Sequence, residues 1–329
     1  MYALVTGGGG FLGQSIVRQL LDRGDRVRIF CRNHHACFDQ LSVDVCLGDV
    51  INRTDVRSAC KGVDIVFHTA AKAGLSCYVD PFFETNTLGT LNVIDGCVKN
   101  GVQKLVFTSS PSVVFDGKDQ QGIDELFPYP NDWNANYPQT KALAERFLLS
   151  ANGREGLLTC ALRPHLIWGP GDCHLFPRLI ARAKQGKLRR IGDGTNMIDI
   201  TYVENAAHAH ILAGDALFEG SPVAGSCYFI SQGQPVNCWD FINKLLTIAK
   251  LPPVTRSTSY RSAWLKGWFL ENWYGLLRLR GEPSMTRFLV TQLARSHWFN
   301  ITRAKEDFGY RPIVSTEEGL DRLASEMHE

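Results

Sequence analysis

Through the first half of the chain, short and mainly apolar runs alternate with stretches in which apolar residues recur every three or four positions. Residues 2–5, 27–30, 43–47, 64–68, 104–108 and 158–162 are runs of strand length, suited to burial on both faces. Helical periodicity fills the gaps at 11–23, 81–99 and 138–151. Such alternation predicts an α/β architecture: a doubly wound parallel sheet with helices on both faces. After about residue 170 the pattern changes. Residues 177–185 read as a helix, 200–203 as a strand leading into a helix through Leu217, and 228–230 as another short strand. The last hundred or so residues read as mostly helical, with prolines at 252, 253, 283 and 312. The expected division is a first domain over 1–170, rejoined by 200–217, and a smaller lobe formed by 171–199 and 218–329.

Composition changes this picture little. A chain of 329 residues with 44% hydrophobic and 21% charged residues is long enough for a large core. The formal net charge of +2 gives no global attraction to nucleic acid, and the basic stretch Lys184–Arg190 reads as a solvated face. The ten cysteines form no C-x-x-C pair, and several fall inside expected strands or helices. They read as reduced, buried thiols rather than a disulfide framework, which points to the cytoplasm. The first strand begins at residue 2, leaving no room for a signal peptide, and no apolar run approaches the length of a membrane span.

The first candidate chemistry lies at Thr6-Gly7-Gly8-Gly9-Gly10-Phe11-Leu12-Gly13, between the first strand and an amphipathic helix. Gly7 is expected to let the chain turn sharply. Gly10 leaves no side chain between the backbone and a pyrophosphate, and Gly13 lets the helix pack closely. The helix amides and positive dipole end then face the phosphates, as in a Rossmann-type nucleotide fold. A second anchor is Tyr137-Pro138-Gln139-Thr140-Lys141, where proline marks a helix start and Tyr137 and Lys141 lie one turn apart. Bringing a phenol to a pKa of about 7 needs roughly 4 kcal/mol of differential stabilisation, and a neighbouring ammonium is its natural source. Phe107-Thr108-Ser109-Ser110 ends a strand at the edge where open parallel sheets bind ligands. Ser110 is the preferred hydroxyl for a substrate carbonyl, with Ser109 and Ser112 as competitors. His208-Ala209-His210 lacks the i, i+4 spacing of helical zinc ligands, so no metal is expected.

These residues, with Gly48-Asp49, His68-Thr69-Ala70-Ala71, Asn86-x-x-Gly89-Thr90 and Leu162-Arg163-Pro164, occur in the order of a known family. The chain resembles an extended short-chain dehydrogenase/reductase of the 3β-hydroxysteroid dehydrogenase-like branch, over essentially its whole length. The resemblance implies an NAD(P)-dependent oxidoreductase with Tyr137, Lys141 and Ser110 as catalytic residues. It implies that Asp49 and Val50 lie beside the adenine, that Ala70 and Ala71 line the pyrophosphate–ribose path, and that Pro164 flanks the nicotinamide. Lys141 would also hold the nicotinamide ribose. Phe11 and Leu12 join the glycines in the cofactor-binding set.

Cofactor choice is expected at the end of the second strand, Arg28-Ile29-Phe30-Cys31-Arg32. Cys31 stands where the family commonly carries an acidic residue that accepts from a ribose 2′-OH, and Arg32 suits a 2′-phosphate. The expectation is NADP(H) over NAD(H). Ile198 stands where sugar-nucleotide enzymes of this type usually carry an arginine, which favours an apolar substrate. Segments 109–115, 161–172, 199–207 and 281–289 resemble two groups of enzymes. One comprises the 2-alkyl-3-oxoalkanoate reductases of bacterial long-chain olefin synthesis, and the other the sterol-4α-carboxylate 3-dehydrogenases. Both groups act on β-oxygenated carboxylic acids bearing a large hydrocarbon, and Arg163, Arg178 and Arg287 are candidate partners for the carboxylate. The implied ligand is therefore a hydrophobic β-keto acid or a sterol-like molecule. A second copy of the chain is a further candidate partner. The aromatic-rich segment 262–280 reads equally as a pocket cover, a membrane-surface contact, a site for a partner enzyme or a plain core helix.

Overall fold

In a computed structural model, which describes residues 1–76, 78–173, 175–279 and 281–327, seven parallel strands form the central sheet. Their spatial order is Ser226–Ile230, Leu158–Pro164, Lys104–Thr108, Ile65–His68, Tyr2–Thr6, Arg26–Cys31 and Val43–Leu47. The two-residue period of the strands divides their side chains between two cores. Ala3, Val5, Ile65, Phe67, Val106, Cys160 and Leu162 face one core with Ile16 and Leu20 of helix Phe11–Asp22 and Ala206 of helix Val203–Ala216. Leu4, Val66, Leu105, Phe107 and Ala161 face the other, with Val56 of helix Arg53–Ala59, Val93 of Gly89–Asn100 and Ala144 of Asn136–Ser150. This is the doubly wound α/β arrangement that the alternating pattern predicts.

The expected helix over 81–99 is three pieces in series: Asp80–Phe82, a π-helical turn Phe83–Leu88, and Gly89–Asn100. The wide turn coincides with side-chain ties to neighbouring elements. Asn86 bonds both the N–H and the carbonyl of Lys72, and Thr87 donates to the Thr140 carbonyl at 2.9 Å. Gly101, with φ +66°, ends the helix in the left-handed region.

The smaller lobe has its own core, built from Trp168, Phe176, Tyr202, Trp239, Phe241, Val290 and Leu323 among others. Its four-stranded sheet runs Val236–Asn237, Met197–Ile198, His297–Phe299, Gln120–Ile123. The chain therefore crosses the expected boundary in both directions. Gln120–Ile123, placed by pattern in the first domain, pairs with His297–Phe299. Residues 228–230, placed in the lobe, lie in the seventh strand of the main sheet beside Leu158–Pro164. Ile301, Ala304, Phe308 and Tyr310 also pack into the main core. A short apolar run announces a buried strand but carries no information on which sheet buries it. Thr201–Tyr202 pairs only with Ile167–Trp168, while the helix that follows lies on the main sheet, where Lys104 donates to the Gly214 carbonyl.

Candidate active site

The glycine turn has the geometry of a phosphate cradle. Gly7 sits at φ +69°, and a Cβ there would come within 2.9 Å of the Ala70 backbone. A Cβ on Gly13 would overlap the Gly7 carbonyl oxygen and reach 2.8 Å from the Gly8 Cα. Gly13 therefore brings the helix against the turn itself, a closer contact than the helix–sheet packing expected. Helix Phe11–Asp22 has Gly10 as its N-cap, no capping side chain and no acidic residue in its first turn. Its first amides and its positive end are thus left for an anion. The residues present fit a dinucleotide pyrophosphate.

Around this cradle the other expected cofactor residues gather at the carboxyl edge of the sheet. Thr69 and Ala70 are tied to Thr6, and Ala71 is exposed just beyond. Gly48 N–H donates to the Cys31 carbonyl at 3.0 Å, which places Asp49 and the buried Val50 beside the end of the second strand. The Asp49 side chain accepts from the Ile51 N–H. Cys31 is buried, and Arg32 is exposed with no ion pair among the described residues. The His35 ring lies against the turn, where a Cβ on Gly9 would be 2.5 Å from it. Only the fold brings the two segments together.

Tyr137 and Lys141 lie on helix Asn136–Ser150, packed against the ends of Lys104–Thr108 and Leu158–Pro164. Tyr137 is partly exposed, and the Ser110 side chain lies close enough to its hydroxyl to favour the ionised form. Ser110 in turn shares a 2.9 Å hydrogen bond with Ser112. Ser109 is buried and turned to the Glu145 carboxylate. Among the three serines the structure thus brings Ser110 to the phenol, with Ser112 behind it. Pro164 is buried at the end of its strand, paired with Ile230.

The electrostatics differ from the sequence expectation. Burial raises the Tyr137 phenol above its ordinary value, with the Ser110 side chain opposing. Lys141 donates to the Thr108 carbonyl at 2.5 Å and stands 4.0 Å over the Phe107 ring. Burial brings its ammonium down to about 7, against the pull of Glu145. An ammonium directed at a strand carbonyl does not offset the desolvation of the phenol, so Tyr137 keeps its proton at neutral pH.

The histidines nearby are structural. His68 is fully buried between Thr6 at 2.7 Å and Thr90 at 3.0 Å, and burial takes it down to about 3. His210 bonds Thr108 and the Ala206 carbonyl and is brought by burial to about 4. His165, next to Pro164, donates to the Asp199 carbonyl and meets the His297 ring at a 50° tilt with centroids 4.7 Å apart. Of the cysteines, 60, 97, 160 and 238 are buried free thiols, 31 is buried, 46 and 227 are partly buried, and 173 is exposed. Cys77 lies outside the described residues.

The three candidate carboxylate partners separate clearly. Arg163 is 2% exposed and ion-paired at 2.6 Å with the fully buried Glu145, so it is closed to substrate. Arg178 pairs with Glu282 at the surface. Arg287 lines a cavity of about 610 Å³ together with Ser76, Asn136, Glu271, Asn272 and Leu276. The lining reaches Asn136, the residue before Tyr137, and includes neither Tyr137 nor Ser110. Glu271, Asn272 and Thr286 were invisible to sequence reasoning, because helix Tyr260–Leu276 reads only as aromatic and cationic until it is folded over the sheet edge. That helix exposes Leu265, Trp268, Phe269, Trp273 and Leu276 and buries Ala263 and Gly267, and Arg280 lies outside the described residues. Among the described residues no helix is long and apolar enough to cross a membrane.

Fold and site together define an oxidoreductase that works with a nicotinamide dinucleotide on a hydroxyl or ketone group. The chain matches the model of the 3-beta hydroxysteroid dehydrogenase/isomerase family over residues 4–256, and it belongs to that family. It is 47% identical to a 2-alkyl-3-oxoalkanoate reductase of Stenotrophomonas maltophilia strain K279a, with 98% of each chain covered. It is 38% identical to the decarboxylating sterol-4-alpha-carboxylate 3-dehydrogenase of Mus musculus, covering 98% of this chain and 90% of that one. Among solved structures, MoeE5 in complex with UDP-glucose and NAD superposes with a TM-score of 0.76. That match has 24% identity and covers 100% of this chain and 99% of the other, a likeness of fold alone.

Proposed function

We propose that the protein reduces the ketone of a long-chain 2-alkyl-3-oxoalkanoic acid to the β-hydroxy acid with NADPH. The observation that carries this reading is the Ser110 side chain beside the Tyr137 phenol at the carboxyl edge of the sheet, with the Arg287 cavity reaching the preceding residue, Asn136. A bound nicotinamide would supply the hydride. Gly7, Gly10, Phe11, Leu12 and Gly13 would hold its pyrophosphate, Ala70 and Ala71 the path towards the ribose, Asp49 and Val50 the adenine, and Pro164 the nicotinamide face. Tyr137 donates its proton to the ketone oxygen, and a phenol kept protonated by burial suits an acid. Ser110 orients and polarises the carbonyl. Lys141, brought to about 7, returns a proton to Tyr137 and binds the ribose.

Two observations support the finer choices. Arg32 stands exposed just beyond Arg26–Cys31, with no ion pair among the described residues, and a guanidinium there favours a 2′-phosphate. The reductase from Stenotrophomonas matches over nearly the full length of both chains. The sterol-carboxylate relative supports a second reading, NAD-linked oxidation of a sterol-like β-hydroxy acid.

The test is consumption of NADPH and NADH with a panel of long-chain β-keto acids, sterol ketones and UDP-sugars. Oxidation of NADPH with the β-keto acids is expected, and turnover of UDP-sugars alone would overturn the reading. Tyr137→Phe should lower kcat by about 100- to 10,000-fold, the usual contribution of a general acid, with cofactor affinity retained.

A further inference from the structure

Arg287 begins helix Arg287–Ala294, and Glu271 on the neighbouring helix Tyr260–Leu276 holds it twice. One Glu271 oxygen accepts from the Arg287 backbone N–H at 2.7 Å, and the other accepts from Nε at 2.5 Å. The Nη1 and Nη2 edge of the guanidinium has no hydrogen-bond partner among the described residues, while the side chain lines the cavity and remains 34% exposed. The pair is not needed to join the two helices. They already touch backbone to backbone at Gly267, where a Cβ would lie 2.8 Å from the Thr286 carbonyl carbon. A carboxylate that fixes Nε and leaves the outer edge of the fork free is an arrangement for receiving a second, planar anion.

We infer that Arg287 is the carboxylate-recognition residue of this enzyme and that Glu271 is its positioning residue. The inference rests on the β-keto acid reading and adds the group that would make the enzyme select the acid over its ester or its decarboxylated ketone. In a β-keto acid one carbon separates the ketone from the carboxylate. The anion-binding group must therefore stand within reach of Tyr137, and the cavity that Arg287 lines extends to Asn136, the residue before it, though not to Tyr137 itself. Arg163 is closed off by Glu145, and Arg178 does not line this cavity. The rest of the wall supplies Asn136 and Asn272 as neutral hydrogen-bonding groups, and Leu276 as apolar surface on the hydrocarbon side.

The experiment compares kcat/KM for a long-chain β-keto acid and its methyl ester in the wild type, R287M, R287K and E271Q. In R287M the acid-to-ester ratio should fall by roughly 10- to 100-fold, the range for one charge-assisted hydrogen bond, chiefly through KM. R287K, which keeps the charge and loses the fork, should recover part of the ratio, and E271Q should lose a smaller part than R287M. Melting temperature and NADPH affinity report folding, and R287K decides the question should R287M not fold. A wild type that prefers the acid and an R287M that keeps this preference would overturn the inference and leave the proposed function standing. A wild type that turns over no β-keto acid would overturn the function. The inference is then decided by calorimetry of a long-chain 3-hydroxy acid against its methyl ester, with NADPH present. Preference for the acid in the wild type, lost in R287M, sustains it, and equal binding in both sinks it.

Discussion

One helix from each half of the molecule shows burial of opposite kinds. In the dinucleotide-binding half, helix Phe11–Asp22 hides Leu12, Ile16, Val17 and Leu20 and turns its charged Arg18 and Asp22 outward. In the lobe, helix Tyr260–Leu276 buries only Ala263 and Gly267 and leaves Leu265, Trp268, Phe269 and Trp273 substantially exposed. The first half is held by a sheet that supplies a ready-made apolar floor on both sides. The lobe has only strands of two to four residues, so its helices pack mainly on one another and over the cavity. Stability should therefore reside in the first half, and ligand selection at the seam.

The largest expected effect lies at the buried pair between helix Asn136–Ser150 and strand Leu158–Pro164. Burial raises Glu145, but the ion pair and hydrogen bonds with Arg163 outweigh it and hold the carboxyl below its ordinary value. Arg163→Met strands a buried carboxylate and should cost about 3–5 kcal/mol in denaturant unfolding. An unchanged midpoint would break the contrast between the halves. Gly13→Ala comes next. Its methyl meets the Gly7 carbonyl and must displace the helix, for a loss of about 1–3 kcal/mol together with weaker dinucleotide binding by fluorescence titration.

Acid should act through the neutral histidines. His68 and His165 are brought to about 3 and His210 to about 4, all by burial, while unfolded chains titrate near 6.5. Their folded values lie below their unfolded ones, so the stability they contribute is complete above about 6.5 and is lost as pH falls towards the folded values. Each histidine should account for about 1 kcal/mol by pH 5.5, read as a falling chemical midpoint between pH 7 and 5. A flat profile over that range would mean the histidines are hydrated in solution. The smallest effect belongs to the lobe helix. Leu265→Ser, at a position 60% exposed, should change stability by less than about 0.5 kcal/mol. A loss of several times that would show that this face is covered in solution.

Most of the nucleotide-binding half was legible because its signals are local. The expected strands recur in the structure with ends shifted by a residue or two, since a run buried on both faces must be apolar whatever surrounds it. The glycine spacing was equally legible, because a left-handed φ at residue 7 and a backbone-to-backbone contact at residue 13 each require the smallest residue. The preference for Ser110 over Ser109 was a matter of position in the chain. The structure shows its cause, since consecutive residues leaving a strand point to opposite faces and Ser109 turns to Glu145.

By itself the chain determined the doubly wound sheet, the glycine cradle and the helical spacing of Tyr137 and Lys141, since each is written within a few consecutive residues. Only the tertiary structure decided that residues 226–230 complete the main sheet, that Lys141 reaches the Thr108 carbonyl, and that Arg163 is sealed while Arg287 meets the cavity. Those outcomes depend on partners from 16 residues to well over a hundred away in the chain. An arginine's side chain is the same in any sequence, and whether it serves as a strut or a receptor is set by which carboxylate folding brings to it.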